Sequence, residues 1–159
     1  MEDPELGPRA DVAALPINQT QGILVLSYPV EDTDPMKWDV ADPVFIIGFP
    51  FGRTAGSNFA VWVRGSTASE PEIDFDELPM FLVDARTRRG QSGSPVILHA
   101  SGKGVVHTEG GSLSVGTGQS TGRLLGVYSG RTSEGSDLGR VWRTEVVQRI
   151  IEAGVAGTP

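Results

Sequence analysis

Short apolar runs, each closed by glycine, proline or acidic residues, recur along the chain. Phe59, Val61 and Val63 alternate with Ala60, Trp62 and Arg64, the period of two that marks a strand with one buried face. Residues 22–28 (GILVLSY), 43–50 (PVFIIGFP), 80–84 (MFLVD), 96–99 (VILH), 124–129 (LLGVYS) and 138–142 (LGRVW) are further runs of strand length. Residues 11–17 (DVAALPI) predict one more short strand, and residues 1–10 a loop or arm. Two acidic stretches, 31–42 and 70–77, read as exposed loops, and the Gly/Ser/Thr-rich residues 100–122 as a long hairpin or mobile loop. One helix is predicted, at about 144–153. Thr144 is placed to cap it, Glu145 suits the positive end of its dipole, Val146, Val147, Ile150 and Ile151 make its apolar face, and Gly154 stops it. Six to eight short strands and a terminal helix predict an all-β barrel with no internal repeat.

Composition narrows the function. The 159 residues suit one domain with a real core. A net charge of −7 argues against a phosphate-backbone partner, so no nucleic acid is expected. The absence of cysteine removes disulfides and thiolate sites, and with only His99 and His107 as possible imidazole ligands no metal or other cofactor is expected. The carboxylates of the two acidic loops match no calcium-loop spacing. No apolar run approaches the roughly 20 residues of a membrane span, and the acidic first residues are unlike a secretion signal. The expectation is therefore a soluble protein with no membrane partner, cytoplasmic by default.

The chemistry concentrates in Gly90-Gln91-Ser92-Gly93-Ser94-Pro95, after a basic loop with Arg86, Arg88 and Arg89. A nucleophilic serine needs its own amide and a neighbouring one turned toward a common point, where they bind the oxyanion of acyl transfer. Glycine beside the serine permits that turn. An α/β-hydrolase elbow does not fit, because Ser94 stands where its second glycine is required and alternating helices are lacking. As a bare hexapeptide, the run is equally a Gly/Ser-rich turn.

Residues 81–96 as a whole resemble the nucleophile segment of chymotrypsin-like (trypsin-like) serine peptidases, nearest to the bacterial Deg-type branch. Gln91 replaces the family's Asp/Asn, and Ser94 its second glycine. Residues 44–52 (VFIIGFPFG), 125–130 (LGVYSG) and 138–142 resemble the strand opening the second barrel, the substrate-holding edge strand and the last strand. Residues 11–15 (DVAAL) resemble the segment that begins with the triad aspartate.

The resemblance implies the following. The fold is a six-stranded antiparallel Greek-key barrel, the C-terminal half of a chymotrypsin-like double barrel, with a C-terminal helix. Residues 1–21 are an arm and remnant of the first barrel, and residues 22–159 the second barrel. Ser92 is the nucleophile, Asp11 orients the base, and Gly90 joins Ser92 in the oxyanion hole. Ser129 and Gly130 hold an extended peptide or protein substrate, and Tyr128 and Arg86 stand in the walls (127–131 and 84–89) of the pocket for the side chain before the cut. Arg86 suggests a preference for non-basic residues there.

The base is missing. The family's histidine precedes the aspartate, and none precedes Asp11. His99 lies seven residues beyond Ser92, about 23 Å along an extended strand, and His107 falls in the Gly-rich stretch. Lys37 and Lys103, the two lysines, also fall in loops. The expectation is a fragment with little or no activity alone, partnered by the missing barrel or by a second copy through an exposed apolar face. The alternatives are a non-catalytic peptide-binding pseudopeptidase module and a bare β-barrel scaffold.

Overall fold

The computed structural model describes residues 1–22, 25, 27–31, 36–100, 105–107, 113–115 and 121–156. Eight strands follow in order: β1 (Pro43–Gly48), β2 (Val61–Thr67), β3 (Met80–Asp84), β4 (Pro95–Ala100), β5 (Val105–His107), β6 (Leu113–Val115), β7 (Thr121–Arg131) and β8 (Leu138–Arg143). One helix, α1 (Thr144–Ala153), ends the fold. Six strands close into an antiparallel barrel in the order β1-β2-β3-β8-β7-β4, with β4 returning to β1. Two three-stranded units joined in this crossed order form a Greek key. The β5–β6 hairpin stands apart from the barrel, in the stretch read as a hairpin.

The period-two pattern explains the closure. Along β1, Val44 and Ile46 are buried while their neighbours are more exposed. They meet Phe81, Val83, Val96, Leu125, Tyr128 and Val141 in one core. Burying such side chains contributes about 1.5–3 kcal/mol each. Trp38 stacks edge-on against Phe81, centroids 4.7 Å apart, and closes one end.

A second apolar cluster lies outside the barrel wall. Met80, Trp142, Val146 and Ile150 are buried there, under Leu6, Ala10, Val12 and Ala14 of the N-terminal arm. Helix α1 therefore buries a narrower stripe than expected, Val146 and Ile150, while Ile151 remains half exposed. Arg143, not Thr144, occupies its N-cap, with no side-chain cap bond, because β8 runs straight into the helix. Gly154 closes it in the left-handed conformation at φ 58°, as expected.

The strand expected at 11–17 is not formed. Val12 and Ala14 do alternate inward, but among the described residues the segment has no neighbouring strand to pair with. Its ladder reduces to the exchange between Met1 and Ala14, at 3.0 and 3.2 Å. Of the strand expected at 22–28, Gly22, Val25, Ser27 and Tyr28 belong to no strand, and Ile23, Leu24 and Leu26 lie outside the described residues.

Candidate active site

The loop from β3 to β4 carries Ser92. Gly90 adopts φ +91° and Gly93 φ +84°, conformations that L side chains rarely take. A Cβ on Gly90 would stand 2.6 Å from Phe49 O, so the loop fits tightly over the turn that follows β1. Phe51 N donates to Arg89 O at 2.6 Å across that contact. In a trans peptide C=O and N–H point opposite ways, so the Gly90 amide is directed away from Phe51. Among the described residues, the amides of Gly90 and Ser92 donate to no other group.

Gln91 pins this loop from below. It is fully buried; its Oε1 accepts from Arg88 N at 2.6 Å, and its carbonyl accepts from Ser94 N at 3.0 Å. Its Nε2 has no partner among the described residues. Gln91, which stands where the resembled segment has Asp or Asn, therefore acts as an internal strut. Beyond the serine, Gly93 N donates to Tyr128 O at 2.8 Å, and Tyr128 N to Ser94 O at 2.9 Å. Both ends of the turn are thus tied to β1 or β7, and Ser92 stands exposed at its tip.

Asp11, Ser92 and Ser129, far apart in the sequence, line one pocket of about 260 Å³, with Val12, Gly93 and Val127 among its other walls. Ser129 occupies the irregularity in the β7–β8 register between Tyr128 and Gly130, and its Oγ is buried without a hydrogen-bond partner among the described residues. β4 covers the other edge of β7 only as far as Val127, so Gly130 and Arg131 pair on the β8 side alone, and Ser129, at the irregularity, has no register partner on either side among the described residues.

The arm that carries Asp11 is held by a buried acid. Asp3 Oδ1 accepts from Glu5 N at 2.9 Å and Leu6 N at 2.8 Å, while Oδ2 meets Arg149 Nη2 of α1 at 3.0 Å. Burial pushes the Asp3 carboxyl up, but the amides of Leu6 and Glu5 and the Arg149 guanidinium outweigh it and hold it below the usual carboxylate range. The sequence signal was an Asp two and three residues before amides at a Gly-Pro turn, which is too common to single out alone.

Tyr128 also lines the pocket that holds Ser92, while Arg86 does not. The Tyr128 ring is buried in the barrel core, with its hydroxyl 2.5 Å from Thr87 Oγ1. Burial raises its pKa, partly offset by Thr87, Arg131 and Arg140. This bond spans the two segments expected to wall the side-chain pocket, 84–89 and 127–131. Arg86 lies with Arg64, Asp84 and Pro43 in a different depression from the one holding Ser92. His99 lies on β4 with its ring 5.9 Å from Phe45 and 5.4 Å from Trp62. His107 is in β5. Among the described residues, no three His, Cys, Asp or Glu gather to hold a metal ion, and no helix is long and apolar enough to cross a membrane.

Comparison with known proteins gives two findings. Residues 2–106 match the family described as the trypsin-like peptidase domain. The chain is similar to the crystal structure of Rv3671c from M. tuberculosis H37Rv, a serine-to-alanine mutant in its inactive form, at 19% identity and a TM-score of 0.44, over 80% of this chain and 53% of that one. The chain thus spans about half the length of that protein's solved chain. No curated protein matches it.

Proposed function

The chain belongs to the trypsin-like peptidase family, and from that premise we propose that it is the substrate-holding barrel of a serine endopeptidase. Ser92 Oγ attacks the carbonyl carbon of a peptide bond. The amides of Gly90 and Ser92 donate to the oxygen that becomes negative, and each such donor contributes about 3–4 kcal/mol. Asp11 orients an imidazole that takes the serine proton and returns it to the leaving amine. The peptide lies along the open edge of Ser129 and Gly130, adding to β7 as a strand. The observation that carries this reading is the meeting of Asp11, Ser92 and Ser129 on one pocket.

The imidazole comes from outside these 159 residues. His99 is engaged with Phe45 and Trp62 and is not among the residues lining the pocket with Ser92. An unassisted serine hydroxyl is a poor nucleophile at neutral pH, so the chain by itself is inactive. A fluorophosphonate probe, which reacts with activated serines, tests this. The expected result is no labelling of the chain alone, and labelling of Ser92 once a histidine-bearing first barrel is supplied, lost in Ser92→Ala. Labelling of the chain alone overturns the external base. Absence of labelling with the first barrel present replaces the endopeptidase with a non-catalytic peptide-binding module.

A further inference from the structure

A chain with a net charge of −7 places unpaired cations beside the edge where the peptide is proposed to lie. Gly130 pairs with Arg140 across β7 and β8, and the Arg140 Nη2 lies 3.9 Å from where a Cβ on Gly130 would stand. That guanidinium reaches Arg131 O at 3.4 Å, a long and weak contact. Its Nε is buried and has no acceptor among the described residues. Arg131 directly follows Gly130 on β7, so both arginines stand at that end of the β7–β8 pair.

No carboxylate balances this group. Among the described residues, neither Arg131 nor Arg140 has an acidic partner within 4.0 Å. A buried guanidinium N–H without an acceptor is costly, and two like charges beside one strand edge repel. Both costs fall when an oxyanion arrives there. The open main-chain edge at residues 129–131 decides its form, because an extended backbone is what completes a strand edge.

We propose that the Ser129–Arg131 edge selects an acidic extended peptide, whose Asp or Glu side chains seat against Arg140 and Arg131 while its backbone pairs with β7. The proposal rests on the peptide-edge reading above and adds the chemistry of the peptide. An acidic ligand is otherwise unfavourable for a chain of this charge, so the local cations must outweigh the global repulsion, and the selectivity must weaken with salt.

Calorimetric titration of the intact chain with three end-capped hexapeptides tests it. The peptides are acetylated and amidated and differ only in a central pair, Glu-Glu, Gln-Gln or Lys-Lys. The Glu peptide is expected to bind about tenfold more tightly than the Gln peptide, with the gap closing between about 50 and about 300 mM salt. Arg140→Gln weakens the Glu peptide about tenfold and leaves the Gln peptide unchanged; Arg131→Gln acts the same way and serves if the first variant misfolds. Arg64→Gln, in the separate depression with Arg86, removes the same charge and leaves both peptides unchanged. Equal binding of the Glu and Gln peptides, or preference for Lys, overturns the acidic selectivity and leaves the edge reading intact. Binding of none of the three overturns both.

Discussion

The loop around Ser92 shows how single residues set a site. Two glycines flank the serine with positive φ, but for different reasons. Gly93 has open space around its missing Cβ, so Gly93→Ala meets only the backbone penalty of that conformation, about 1–2 kcal/mol. Gly90 has Phe49 O in the way as well, at 2.6 Å. Gly90→Ala is expected to cost more than Gly93→Ala in a urea melt and to disturb the Phe51–Arg89 hydrogen bond. Equal losses would mean that the Phe49–Gly52 turn yields freely. The same scale explains what the sequence left hidden. GQSGSP marked an exposed serine turn, because glycine spacing is local chemistry. It did not show that Gln91 turns inward as a strut, because that depends on the space beneath the loop.

At the scale of elements, the N-terminal arm is the least regular part and positions Asp11. Among the described residues it has no strand ladder; it is held by apolar contacts with α1 and β8 and by the Asp3–Arg149 pair. Asp3 has a depressed pKa in the fold, so the unfolded chain binds its proton more readily. The stabilisation is therefore fully present above the ordinary Asp value of about 3.9 and is lost as pH falls below it through the folded value. Asp3→Asn is expected to cost about 1–3 kcal/mol at neutral pH and to flatten the fall in melting temperature below about pH 4. Parallel curves for the two proteins would show that the pair holds nothing. The sequence placed β1, β3, β4, β8 and α1 within a few residues, because alternation and length mark them. It failed at residues 11–17, where the alternation was present but, among the described residues, the pairing strand was not.

For the whole molecule, closure of the barrel makes one cooperative core. Phe81 is fully buried at its centre, with Trp38 against its ring, and Phe59 is 73% exposed. Phe81→Ala is expected to lower unfolding free energy by about 3–5 kcal/mol, with tryptophan fluorescence and circular dichroism melting together. Phe59→Ser should change it by no more than about 0.5 kcal/mol. Separate transitions for the two probes would show that barrel and arm unfold independently. Closure also creates the site. The β3–β4 loop, the end of β7 and the arm reach one pocket only because β4 and β8 both flank β7.

The sequence by itself determined the class of fold, most strand positions, the terminal helix and the nucleophile-like turn. All of these follow from local rules: side-chain period, glycine conformation and capping. The tertiary structure alone decided that Asp11, Tyr128 and Ser129 share a pocket with Ser92, that the Tyr128 ring at the same time packs into the core, that Arg86 falls elsewhere, and that Arg131 and Arg140 stand without an acidic partner beside the open edge of β7. Those facts depend on strand order and register, and two residues distant in sequence acquire a distance from each other only when the sheet closes.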